Sequence, residues 1–170
     1  MNICFLDKTP FIYNSNDINS FKLRGAETVL INISNSLAKL GHHVTVINNC
    51  KHNEKINNIN WVNINSLSKK LSFDLAISNN NSQFFDYIDA KKKILLSHSI
   101  QNIEKFYRKK QLFSYFKHKP KVALLGKYHL KKRSYITRMF GYFLLPYGVD
   151  EIFINTKIKQ KIDIKSNLAI

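Results

Sequence analysis

The chain has 170 residues, of which 44% are hydrophobic, and a formal net charge of +16. That length holds one domain with a full core, and the apolar content is that of a globular protein. No apolar stretch approaches the roughly 20 residues of a bilayer-spanning helix, and the N-terminus lacks the basic region, long apolar region and small-residue cleavage site of a signal peptide.

The elements follow in chain order. Ile3-Cys4-Phe5-Leu6 predicts a strand over 2–6. A polar loop, 7–23, leads to Arg24-Gly25-Ala26-Glu27 and a helix over 26–40. Its apolar positions Ala26, Val29, Leu30, Ile33, Leu37 and Leu40 keep helical spacing, and Gly41 suits the position just past the helix end. Val44-Thr45-Val46-Ile47 is β-branched and predicts a buried strand over 43–48. A polar stretch precedes a strand near 59–64, then Phe73-Asp74-Leu75-Ala76-Ile77 gives another. A short helix over 82–90, with Ser82 as its N-cap, precedes a strand over 93–97. A helix over 100–117, a strand over 121–125, a short helix over 127–137 and a final strand over 142–145 complete the pattern.

Strands alternating with crossover helices imply α/β architecture: a Rossmann-like, doubly wound, mostly parallel sheet over 1–150. Residues 151–170 carry charge, no glycine and only fragments of pattern, and read as a linker toward a further domain. Cys4 and Cys50 lack metal-ligand spacing and read as buried thiols of a reducing compartment, the alternative being a disulfide between neighbouring strand ends. No His/Cys/Asp/Glu group has metal-ligand spacing, so no metal is expected. The glycine patterns of dinucleotide folds and P-loop ATPases are missing, which disfavours those cofactors.

The charge is concentrated. Over 91–138 there are 15 basic residues and one acid, Glu104. Lysine outnumbers arginine 23 to 4, a bias that a genome's composition could produce, although bias alone would not place the charge in one segment. Such a field attracts anionic membranes, nucleic acid or phosphorylated ligands. Within the 100–117 helix, Ile100, Ile103, Phe106, Tyr107, Phe113 and Phe116 predict one apolar stripe, flanked by Lys105, Arg108, Lys109, Lys110 and Lys117. An ordinary core-facing helix accounts for most of that stripe. Its aromatic and basic density also suits reversible docking on an anionic bilayer through Lys105, Arg108, Lys109 and Lys110.

Three further places carry chemistry. Gly25 stands where a helix N-terminus meets the carboxyl end of the first strand, the usual ligand position in open α/β sheets. His98 follows the strand Leu95-Leu96-Ser97 at the same end, where an imidazole can hydrogen-bond a sugar or acceptor hydroxyl. His42 and His43 lie at the opposite end and read as structural. Pro146-Tyr147-Gly148-Val149-Asp150 ends the last strand sharply.

Together these places resemble the N-terminal half of GT-B glycosyltransferases, in the large retaining group called family four. That family carries a G-G-A-E turn, a helix ending L-x-x-x-G-H-x-V-x-V, a histidine after a middle strand, and P-x-G-V-D-x-x-x-F at the hinge between its two domains. Here they are matched by Arg24-Gly25-Ala26-Glu27, Gly41-His42-His43-Val44-Thr45-Val46, His98, and Pro146 to Asp150, with Phe153 following one residue sooner than in that pattern. The resemblance implies transfer of a sugar from a nucleotide-sugar donor to a glycan or lipid-linked acceptor at the inner membrane face. It implies Gly25 and Arg24 near the donor phosphates, His98 near the transferred sugar, and Pro146, Gly148 and Asp150 at the hinge. The 7–23 loop is expected on the acceptor side. Two departures stand out: Arg24 replaces the first glycine, and Tyr147 replaces the usual asparagine. The family's Glu-x7-Glu donor motif is not in this sequence, so an acceptor-side half, inactive without a C-terminal donor domain, is expected. The competing expectation is a non-catalytic basic module that binds nucleic acid or an acidic partner, although no nucleic-acid motif supports it.

Overall fold

The computed structural model describes residues 1–20, 23–100, 102–146 and 148. Eight strands form a single sheet: β1 (Asn2–Leu6), β2 (His43–Asn48), β3 (Glu54–Ile56), β4 (Ile59–Asn63), β5 (Leu71–Asn79), β6 (Ile88–Ser97), β7 (Lys121–Leu124) and β8 (Tyr142–Leu144). The helices are α1 (Gly25–Lys39), α2 (Ile103–Arg108), α3 (Leu112–His118) and α4 (Lys127–Lys132), with short 3-10 turns between. The strand order is β3-β4-β2-β1-β5-β6-β7-β8, and every pair is parallel except β3 with β4. This is an α/β fold with a mostly parallel sheet, compatible with the Rossmann-like expectation.

Strand β1 shows how the sheet is anchored. Ile3 and Phe5 enter a core with Leu30 and Ile31 of α1, Val44, Val46 and Trp61. The alternate residues Cys4 and Leu6 enter a second core with Ile47, Phe73, Ala76 and Phe85. Both faces of β1 are therefore dry, which is why its run is continuously apolar. Burying a side chain such as Phe5 contributes about 1.5–3 kcal/mol. A third core, under Phe106, Tyr115, Val122 and Leu124, supports β6 and β7. Cys4 and Cys50 are both free and buried.

Helix α1 stops where the sequence indicates. Gly41 adopts φ +83, its amide bonds the Ala38 carbonyl, and the His42 amide bonds that of Leu37. That pair of bonds is a Schellman closure, and the left-handed residue it needs is glycine.

Four expectations are corrected. The polar stretch after β2 contains a strand, β3, joined to β4 by Asn57 and Asn58 at φ 51 and 61. Both central residues at positive φ make the tight turn that matches strand twist. The 82–90 helix is a 3-10 turn over Ser82–Tyr87 capped by Asn81 rather than Ser82, and β6 begins at Ile88. The 127–137 helix ends at Lys132.

The 100–117 helix is two helices. Lys110 sits at φ 53, its amide bonds the Tyr107 carbonyl, and the Gln111 amide bonds that of Phe106. This second Schellman closure turns the chain, so the expected stripe is not one face. Phe106 and Tyr115 are buried edge to face at 5.4 Å. Tyr107 and Phe113 are instead 76% and 78% exposed.

Candidate functional site

The sheet order reverses direction between β1 and β5. In such sheets ligands bind beyond the carboxyl ends of the strands at that reversal. A cavity of about 430 Å³ lies there. Its walls come from Asp7, Lys8, Thr9 and Pro10 after β1, and from Arg24, Ala26 and Glu27 at the start of α1. Asn79, Asn80 and Asn81 after β5 add to them, with Lys109 and Gln111 from the break between α2 and α3.

Asp7 is 2% exposed at the base of this region. Its Oδ2 accepts from the Tyr13 hydroxyl at 2.6 Å and its Oδ1 from Asn79 Nδ2 at 3.2 Å. Burial pushes the Asp7 carboxyl above its ordinary range, against the two donors, and the nearby charge of Glu27 adds to the rise. Tyr13 is pushed well upward by burial and by Asp7, so its proton stays on the phenol. Tyr13 also packs edge to face on buried Trp61 at 6.0 Å. This rigid base was not singled out from the sequence. Its signal was an aspartate directly after an apolar strand, at the end where ligands bind.

Arg24 is the N-terminal flanking residue of α1. Its Nη2 lies 2.5 Å from Oε1 of Glu27, its Nε is 3.2 Å from the same oxygen, and its guanidinium sits 4.8 Å from the Phe11 ring centre. Glu27 is fully buried, whereas the Arg24 side chain remains 57% exposed. Gly25 opens α1, and a Cβ added there would meet nothing within 4 Å. Thus Arg24 lines the cavity, Gly25 lies in the chain between the lining residues Arg24 and Ala26 without lining it itself, and the buried Glu27 anchors Arg24.

His98 follows β6 and is half-buried. Its backbone amide donates to Asn80 Oδ1 at 2.9 Å. Asn80 holds φ 56, and its own amide bonds the Leu96 carbonyl. One asparagine thereby ties the end of β5 to the end of β6. Burial lowers the His98 imidazole, with Glu27 opposing. A neutral ring at pH 7 is a donor on one nitrogen and an acceptor on the other. His98 stands at the same sheet end as the cavity but is not among its lining residues.

The remaining expectations separate. Pro146 and Gly148 are exposed beyond β8, the edge strand four places from β1, and Asp150 lies outside the described residues. Arg108, Lys109 and Lys110 are exposed, but Lys109 lines the cavity and Lys110 forms the turn. Lys105 points back to the chain, its Nζ donating to Ser99 Oγ at 3.1 Å. The four cations do not share one helical face.

Among the described residues no helix is long and apolar enough to cross a membrane, and no group of three or more His, Cys, Asp or Glu side chains is placed to hold a metal ion. In comparisons with family models, curated proteins and solved structures, no match to this chain was found.

Proposed function

We propose that the chain is the acceptor-side, N-terminal half of a GT-B glycosyltransferase, its sheet being the doubly wound unit of that fold. A C-terminal domain would supply most of the donor nucleotide site. The observation that carries the reading is the cavity at the β1–β5 reversal, lined by Arg24, Ala26 and Glu27 at the start of α1, with Gly25 between the first two in the chain. Helix N-termini attract phosphate through unpaired amides and the helix dipole. The open space at Gly25 lets a diphosphate approach those amides closely.

In this reading an acceptor hydroxyl attacks the anomeric carbon of the donor sugar, the bond from that carbon to the phosphate oxygen breaks, and the hydroxyl proton passes to the departing nucleoside diphosphate. Negative charge grows on the leaving phosphate, near the Gly25 amide, where fixed donors are most effective. Arg24 adds a positive field beside it while bound to Glu27. His98, kept neutral by burial, hydrogen-bonds the transferred sugar. No metal takes part. The exposed Tyr107, Phe113, Arg108 and Lys110 bring the protein to an anionic membrane surface that carries a lipid-linked acceptor. The chain alone turns over no nucleotide-sugar.

The coding sequence that follows this chain in its source tests the reading. A continuation or neighbouring gene encoding a domain with a Glu-x7-Glu motif is expected. Sugar transfer by the purified 170-residue chain alone would contradict the division of labour.

A further inference from the structure

Arg133, which follows α4, is 3% exposed. Its Nη1 donates to Ser97 Oγ at 2.6 Å and its Nε to the Thr137 carbonyl at 3.1 Å. Its plane lies 5.5 Å from the Phe106 ring centre. Its Nη2 is buried with no hydrogen-bond partner, and no ion pair among the described residues includes Arg133. Burial lowers the guanidinium to about 10. Buried arginines are ordinarily paired with a carboxylate or phosphate, because an isolated charge in a dry interior is strongly disfavoured.

A second cation meets the same turn. Lys105 Nζ donates to Ser99 Oγ at 3.1 Å and lies 3.5 Å from the Ile100 carbonyl. Ser97 Oγ donates to the Ser99 carbonyl at 2.8 Å. Burial lowers the Lys105 ammonium, and the charge of Arg133 is among those lowering it further. The guanidinium and the ammonium thus each bond a serine of the same short segment after β6, Arg133 on Ser97 and Lys105 on Ser99, and the two serines are joined by the Ser97 hydroxyl bond. No carboxylate among the described residues pairs with either cation. Ser99 Oγ accepts from Lys105 and keeps its own proton to donate.

We propose that Arg133, Lys105 and Ser99 form a binding site for a phosphoryl group, carried by a phosphate monoester or a diphosphate. A single guanidinium balances a carboxylate. Two separately held cations and a hydroxyl donor match the greater charge and third oxygen of a phosphoryl group. The site uses residues other than those at the α1 mouth, and it stands whether or not the protein transfers sugars.

The test is a titration of the full chain with inorganic phosphate at constant ionic strength, chloride being the reference anion. Binding is read from phosphorus NMR line width and from the unfolding temperature. The wild type is expected to broaden the phosphate signal and to gain unfolding temperature beyond the general salting effect, which all variants share. Lys105→Met and Arg133→Met should each weaken binding about tenfold or more. In chloride, Arg133→Met should unfold at the same temperature as wild type or above it, because a buried unpaired charge has been removed. Should that variant fail to fold, Lys105→Met and Ser99→Ala, at half-buried positions, carry the test. No binding by wild type, or equal binding by wild type and Lys105→Met, overturns the proposal.

Discussion

The buried carboxylate of Glu27 grips Arg24 at 2.5 Å across the first turn of α1. The arginine that replaces a glycine of the resembled motif is thus tied to the helix it precedes. Its partner is fully buried, so the two residues are not equivalent in stability. Arg24→Ala leaves a buried carboxylate without its cation and should destabilise the protein by about 1–3 kcal/mol. Glu27→Gln removes the charge but keeps the shape and should cost less. The double variant should recover most of the Arg24→Ala loss. Urea unfolding of the four proteins measures this, and simple additivity would show that the pair is not coupled.

Gly25 separates stability from binding. A Cβ there meets nothing, so Gly25→Ala should leave stability unchanged or raise it by about 0.4–1 kcal/mol through the unfolded chain. The same methyl group stands where a diphosphate would approach the amides. Under the proposed function, affinity of the chain for nucleoside diphosphate sugars should fall about tenfold. A variant that binds as well as wild type would remove Gly25 from the site.

Asp86 and His118 link stability to pH. Burial alone would raise the Asp86 carboxyl, but hydrogen bonds from Lys117, His118 and Ser114 outweigh it and hold it down to about 2. Its contribution is present above its ordinary value of 3.8 and is lost as pH falls through about 2. His118 Nε2 lies 2.9 Å from Asp86 Oδ1, and its Nδ1 is 3.1 Å from Lys93 Nζ. Burial lowers the imidazole, with Asp86 opposing and Lys93 assisting. Its contribution is therefore present above 6.5 and is lost as pH falls through the lower folded value. His118→Gln should flatten the stability profile just below pH 6.5, and Asp86→Asn should flatten it below pH 3.8. Unchanged profiles would show that the cluster carries no linkage.

Lys110 occupies the left-handed position that closes α2. Such a position costs a non-glycine residue about 1 kcal/mol. Lys110→Gly should therefore stabilise the protein by about 0.5–1 kcal/mol in chemical unfolding. A loss would mean that the lysine side chain supports this turn.

The exposed aromatics beside the basic residues make the membrane reading measurable. The chain should bind anionic vesicles, more weakly at high salt, and Tyr107→Ser with Phe113→Ser should reduce that binding about tenfold. Steeply salt-dependent binding to oligonucleotides, with no response to vesicles, would favour the basic-module alternative.

The strands of the parallel core were legible in sequence because Ile3, Phe5, Val44, Val46 and Leu95 belong to short apolar runs with clear punctuation. The end of α1 was legible for the same reason: Gly41 supplies the backbone conformation that its closure needs. Where asparagine or lysine takes that conformation, the signal is faint. Asn57 and Asn58 therefore hid strand β3, and Lys110 let two helices read as one. Gly25 and His98 could be singled out as candidates because position along a strand or helix is one-dimensional information. Asp7 with Tyr13, Asn80 with His98, and Arg133 with Ser97 depend on segments distant in sequence meeting at one sheet end. No local pattern encodes those meetings.

The most direct measurement of the central claim is amide NMR of the nitrogen-labelled chain titrated with a panel of nucleoside diphosphate sugars. The account predicts shifts centred on Gly25, Ala26 and Asn80 at the β1–β5 reversal, weakened in Gly25→Ala. Shifts confined to Arg133 and Lys105 would place phosphate recognition at the other site alone. The absence of any change at Gly25 and Ala26 at saturating ligand would contradict the assignment of this cavity to a glycosyl donor.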